Sequence, residues 1–242
     1  MITLVLLPGL DGTGMLFEPF VTALGSGCPV KIVRYPPDQP LAYAELQDVA
    51  RAALPQDGPF VILGESFSGP IAVSLAASCP AQLKGLVLCC SFVRNPYPFT
   101  KILKPLVGLL PITSRSASVS RNFQLGRFAT DALRSKLAEA IAGVSPAVIR
   151  ARLREVIDVD VSARLATIGV PLLYLRASHD RLISRASSEI VSRLKPETRV
   201  IQFEAPHFLL QTVPAEAAKI VSAFVREVDD IENNLQKGKR TE

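Results

Sequence analysis

Six short apolar runs, each separated from the next by a stretch of helical composition, constrain the fold of this 242-residue chain more than any other feature. The runs are Ile2–Leu7, Val30–Arg34, Phe60–Leu63, Gly85–Cys90, Pro171–Arg176 and Thr198–Phe203. Several are continuous Val, Ile and Leu rather than alternating, the pattern of strands covered on both faces. Between them, Met15–Leu24, Tyr43–Leu54, Pro70–Cys79, Arg185–Lys195 and Pro214–Val228 have helical spacing. This order predicts an α/β fold: a doubly wound, mostly parallel sheet of about six strands with helices on both faces. The binding crevice of such a sheet lies among the loops at the carboxyl ends of its strands. A hydrophobic share of 48% is enough for a sizeable core.

The rhythm breaks after Arg94. Asn95-Pro96-Tyr97-Pro98 ends the strand pattern, and Phe99–Leu110 is cut by Pro105 and followed by Pro111. A Ser/Arg-rich stretch, Thr113–Arg121, comes next, then helices expected over Thr130–Ala142 and from Ser145-Pro146 to about Ile157. Serine as N-cap with proline at the first helical position is a good start signal. The expected organisation is a core of residues 1–93 and 169–242, with 94–168 inserted as a helical cap that covers the crevice as a lid. That segment holds 12 Lys/Arg against 5 Asp/Glu, and the remainder 15 against 17, so the net charge of +5 resides in the insertion. A basic insertion suits an anionic substrate or partner. No basic run is interleaved with aromatics, which argues against nucleic acid. No apolar run reaches the ~18–20 residues of a membrane span. Met1–Leu7 meets Pro8-Gly9 too soon for a signal peptide, so a cytoplasmic location is the expectation. Cys28, Cys79, Cys89 and Cys90 match no metal-ligand spacing and read as buried thiols. From Asp230 on the chain is polar and expected to fray.

Ser66 stands where the third apolar run turns into a helix, within Gly64-Glu65-Ser66-Phe67-Ser68-Gly69. A serine at such a corner is held in a strained turn and projects from the sheet edge, and small neighbours let backbone approach. A hydroxyl is a poor nucleophile until a base takes its proton. Only two histidines are available, His179 and His207. His207 follows the last strand, at the same sheet edge as the Ser66 turn, and is the candidate base; His179 is a rim or pocket residue. Asp180, after the fifth strand, is placed to orient the imidazole, ahead of Asp158 and Asp160, which precede that strand. Pro8-Gly9-Leu10-Asp11-Gly12-Thr13-Gly14 follows the first strand, and the backbone N–H groups of Leu10 and Phe67 are the candidate oxyanion donors. Asp11, Glu65, Phe99, Leu103, Leu106 and Phe208 complete the pocket candidates, with Leu109 and Leu110 in the same apolar set.

These residues, in the order Ser66, Asp180, His207 and with Leu7-Pro8-Gly9-Leu10 ahead of them, resemble the α/β-hydrolase fold superfamily over nearly the whole chain. The family often has His-Gly where this chain has Pro8-Gly9, and glycine at the elbow position of Ser68. The sheet is expected to begin at the strand that carries the oxyanion loop, without the family's first two strands. The Pro8–Gly14 loop is also similar to lipid-directed branches such as the phytyl ester synthase-like acyltransferases.

The resemblance implies a serine carboxylic ester hydrolase with a helical cap, acting on a small or lipophilic ester, with no cofactor and no metal. Its alternatives are an acyl-thioester hydrolase or acyltransferase taking an acidic carrier or CoA thioester at the basic cap, a C–C hydrolase or lyase, and a ligand receptor of the same fold.

Overall fold

A computed structural model describes residues 1–78, 80–113 and 124–238. Cys79 and most of the Ser/Arg-rich stretch lie outside the described residues. Six strands form one all-parallel sheet: β1 (Thr3–Leu7), β2 (Val30–Ile32), β3 (Phe60–Glu65), β4 (Leu83–Cys89), β5 (Leu172–His179) and β6 (Arg199–Pro206). Their order is β2-β1-β3-β4-β5-β6. Every expected strand is present. β3, β5 and β6 run on past their apolar centres to Glu65, His179 and Pro206. A ladder continues wherever backbone groups pair, whatever the side chains, so composition alone ends a strand too early.

The helices of the core are α1 (Glu18–Leu24), α2 (Tyr43–Ala52) and α3 (Gly69–Ala77). Side chains of β1 show why the runs are continuous. Leu4 and Leu6 pack with Phe17, Phe20 and Phe224 on one face of the sheet. Val5 and Leu7 pack with Leu46 and Ile71 on the other. Both faces are dry, and each such Leu, Ile or Val contributes roughly 1.5–3 kcal/mol by leaving water.

Between β4 and β5 the chain departs at Val93 and returns at Val161, where Val161 N–H donates to the Val93 carbonyl at 2.7 Å. Arg94 and Asp160 form an antiparallel bridge beside that bond. The inserted segment contains a 3-10 helix, Pro98–Leu109, and the helices α4 (Asp131–Ala142) and α5 (Pro146–Asp158). Ser145 Oγ accepts the Ala147 N–H at 3.3 Å, so the N-cap read from sequence forms. Among the described residues the insertion has no strand element. α6 (Ser162–Ala166) follows, and Val161, Leu165 and Ile168 pack into the sheet's own core. The remaining helices are α7 (Arg185–Leu194), α8 (Leu209–Thr212) and α9 (Pro214–Gly238). α9 continues well past Val228 instead of fraying from Asp230.

Because all six strands run the same way, the loops after β1, β3, β5 and β6 gather at one edge.

Candidate active site

Ser66 follows the last residue of β3 and has φ of 48°, in the left-handed region that a side chain enters only at a cost. Packing holds it there. The Ser66 carbonyl accepts the Ser91 hydroxyl at 2.5 Å, and the Phe67 carbonyl accepts the Tyr43 hydroxyl at 2.9 Å. Gly69 touches Ser91 so closely that a Cβ there would lie 1.8 Å from its Oγ, so any other residue would push the elbow apart. Ser68 differs from the glycine common at its position in the resembling family, and its hydroxyl is used. It donates to the Pro8 carbonyl and lies 2.8 Å from the Tyr35 hydroxyl. The elbow is thereby fastened to the loop after β1.

Ser66 Oγ lies 2.8 Å from His207 Nε2, and His207 Nδ1 lies 2.8 Å from Asp180 Oδ2. Asp180 Oδ1 accepts the N–H groups of Leu182 and Ile183, both at 2.8 Å, which leaves Oδ2 to face the ring. The side chains of His207 and Asp180 are both buried. Burial alone would lower the His207 pKa, but the charge and hydrogen bond of Asp180, with a further contribution from Glu65, raise it above its ordinary value. Asp158 pairs with Lys104, and Asp160 caps the Ser162 N–H, so neither competes for the ring.

The loop Pro8–Gly14 closes on itself through the Gly12 N–H and the Gly9 carbonyl, 3.0 Å apart. Leu10, in that loop, and Phe67, directly after Ser66, carry the two N–H groups that the sequence offers as oxyanion donors. Asp11 Oδ2 accepts the Thr13 N–H at 2.9 Å.

A cavity of about 610 Å³ opens onto Ser66 and His207. Asp11, Glu65, Leu110 and Phe208 line it. Phe99, Leu103 and Leu106 do not. They are 68%, 49% and 53% exposed on the outside of the 3-10 helix. An α-helical spacing would have put Phe99, Leu103 and Leu106 on one inward stripe. With three residues per turn, Leu103, Leu106 and Leu109 share one outward face, while Val107 alone is buried. The apolar wall comes instead from Ile112, Leu137, Ile141, Ile149 and Leu153. His179 is likewise absent from the lining. It sits at the surface, 3.1 Å from Arg127 Nη2, which also pairs with Glu204 at the end of β6.

Two residues at this site escaped the sequence reading. Gln211, on α8, donates to Glu65 Oε1 at 3.0 Å and to the Leu16 carbonyl at 3.2 Å. Arg152, on α5, is 1% exposed and donates to the carbonyls of Leu10 and Asp11 at 2.8 Å each and of Pro36 at 3.1 Å. Gly12, at φ of 71°, leaves room for it: a Cβ there would lie 2.5 Å from the guanidinium. A signal existed. Arg152 falls on the apolar stripe that Val148, Ile149 and Ile157 bury, where a basic residue needs a buried acceptor. Cys28, Cys89 and Cys90 are buried free thiols whose pKa values burial pushes up.

Burial pushes the Glu65 carboxyl up to about 7, with Gln211 and His207 opposing and Asp11 assisting. A carboxyl that binds its proton more tightly in the folded state favours folding below its unfolded pKa of 4.5. That contribution is lost as pH rises through 7. Removing the charge should therefore matter only at the alkaline end. Glu65→Gln is expected to leave Tm nearly unchanged at pH 5 and to raise it relative to the parent at pH 8, by a stability on the order of 2 kcal/mol. Thermal melts of both proteins across that range check it; a constant difference would mean Glu65 is ionised throughout.

A family model described as "Alpha/beta hydrolase family" matches residues 4–220. Among solved structures, the chain is similar to the enol-lactonase from Burkholderia xenovorans, with a TM-score of 0.77, 17% identity, and coverage of 94% of this chain and 90% of that one. It is also similar to a hydrolase from Oleispira antarctica, with a TM-score of 0.78, 15% identity, and coverage of 93% and 91%. A curated relative, phytyl ester synthase 1, chloroplastic, of Arabidopsis thaliana, is 33% identical over 116 residues. That match takes in 46% of this chain and only 16% of the relative's length.

Proposed function

The chain belongs to the alpha/beta hydrolase family, and from that premise we propose that it is a serine carboxylic ester hydrolase working through an acyl-enzyme on a lipophilic ester. The observation that carries this reading is the unbroken chain of hydrogen bonds from Ser66 Oγ through His207 to Asp180, set at the floor of an apolar cavity. Asp180 accepts the Nδ1 proton, which leaves Nε2 as the acceptor facing the hydroxyl. Ser66 Oγ attacks the ester carbonyl carbon as its proton passes to Nε2. The oxyanion forms against the N–H groups of Leu10 and Phe67, worth on the order of 3 kcal/mol each. Nε2 then hands its proton to the departing alkoxide, and water repeats the sequence on the acyl-enzyme.

The inserted segment acts as a lid in this reading. Its Leu110, Ile112, Leu137, Ile141, Ile149 and Leu153 give the acyl chain an apolar wall, and the polar side chains of the cavity besides Ser66 and His207 are Asp11, Glu65 and Gln124. Each methylene buried there is worth ~0.8 kcal/mol, so kcat/KM for nitrophenyl esters should rise about fourfold per added CH₂ until the cavity is full. Mass spectrometry during turnover should find one acyl adduct on the peptide containing Ser66. An adduct elsewhere, or a flat chain-length profile, would remove the reading.

Acyl transfer from a thioester is the second reading. It is favoured by the likeness to phytyl ester synthase 1, by its name a synthase of esters, and by the basic insertion. Running an acyl-thioester with and without a long-chain alcohol beside the nitrophenyl series separates the two: hydrolysis releases free acid at the same rate in both, and transfer yields the new ester.

A further inference from the structure

We propose that the 3-10 helix Pro98–Leu109, with Leu110, is a docking face for an anionic lipid bilayer. Phe99, Ile102, Leu103, Leu106, Leu109 and Leu110 are all exposed within residues 99–110, Ile102 at 83% and Leu109 at 79%. Single exposed apolar residues are ordinary on any surface; six large ones on one short segment are not. The same segment carries Lys101 and Lys104. Arg150 Nε bonds to the Leu110 carbonyl at 3.0 Å, and the Arg154 guanidinium packs on Gly108, where a Cβ would lie 2.6 Å from it. Lys104 is held by Asp158, while Lys101, Arg150 and Arg154 place positive charge beside the apolar side chains, the arrangement of a segment that rests in the headgroup layer.

Charge over the whole chain points the same way. Residues 94–168 hold 12 Lys/Arg against 5 Asp/Glu, and the rest 15 against 17, so a negative surface turns this face toward itself. An acidic protein would satisfy the charge but leave the six apolar side chains without a counterpart; a bilayer satisfies both. Attachment is peripheral, because no helix among the described residues is long and apolar enough to cross a membrane. Leu110 is both exposed and part of the cavity wall, which the adjoining Pro111 and Ile112 also line. A lipophilic ester can thus pass from bilayer to cavity along a continuous apolar path, a consequence that rests on the ester-hydrolase reading, whereas the docking itself does not.

Flotation with vesicles tests it, using the Ser66→Ala protein so that no substrate is consumed. Binding to phosphatidylcholine vesicles containing phosphatidylglycerol is expected, at least about tenfold weaker without the anionic lipid and weaker in high salt. Ile102→Asp with Leu109→Asp should lower binding by at least about 30-fold. Lys101→Glu, a change at an exposed position that keeps the apolar face intact, should lower it about fivefold. With Ser66 restored, both variants should turn over a short soluble ester like the parent. Equal flotation of the double variant, or no flotation with anionic vesicles, overturns the proposal. So does salt-sensitive binding to an acidic protein in place of vesicles. Failure of the ester chemistry would leave flotation unchanged, and failure of flotation would leave the Ser66 acyl adduct unchanged.

Discussion

Ser66→Ala is expected to lower kcat/KM for a short nitrophenyl ester by about 10⁴- to 10⁶-fold, with Tm moving by no more than a few degrees. The size follows from what the hydroxyl does. In serine hydrolases the nucleophile and its base act as a unit, and removing either costs roughly as much as removing both, near 10⁶. What survives is binding and the oxyanion donors acting on water, worth about 10³–10⁴ over solution. The fold should tolerate the change, because the hydroxyl's hydrogen-bond partner is His207, and the elbow is held by other groups: the Ser91 and Tyr43 hydroxyls on its carbonyls and the Ser68 hydroxyl on Pro8. Adding His207→Ala should cost little more, and that non-additivity identifies a shared step. A Ser66→Ala protein that keeps more than about 1% of parental activity would sink the assignment.

Ser66, His207 and Asp180 were legible because each lies at the carboxyl end of a strand, and a parallel sheet sends all such ends to one edge. Two histidines left little choice of base, and only one of them follows the last strand. The sheet was legible for the same kind of reason: apolar runs covered on both faces have no other use in a chain of this size. The cavity wall was not. Phe99, Leu103 and Leu106 have the right chemistry, but their direction depends on whether Pro98–Leu109 winds with three residues per turn or nearly four. Pro105 lies inside that segment and removes a backbone donor, which composition alone cannot convert into a winding. Gln211 and Arg152 were hidden differently. Their partners are backbone carbonyls and a carboxylate 116 to 195 residues away, and separations of that kind leave a local trace only where, as at Arg152, a basic residue falls on an apolar stripe.

Arg152 makes the second large prediction. Its guanidinium reaches from α5 under the loop after β1 and holds the carbonyls of Leu10, Asp11 and Pro36 at once. In the ester-hydrolase reading the N–H of Leu10 faces the oxyanion, which makes Arg152, bonded to the carbonyl of the same residue, the proposed positioning residue for that donor. Arg152→Met fills a similar space but strands three acceptors. Hydrogen bonds from a charged donor are worth ~1.5–3 kcal/mol each. Some of that is returned because the guanidinium no longer has to be buried. A net loss of about 3 kcal/mol of stability is expected, readable in a denaturant titration. If the loop then relaxes, one oxyanion donor is lost, which costs about 10²–10³ in kcat. KM should stay within about threefold, because the acyl wall is untouched. Arg152→Lys, which keeps the charge but reaches fewer carbonyls, should recover part of both losses. A variant that loses stability while kcat per folded molecule stays at the parental value would show that Arg152 only fastens the insertion, and that the loop after β1 keeps its shape through the Ser68 hydroxyl on Pro8 and the Gly9–Gly12 turn alone.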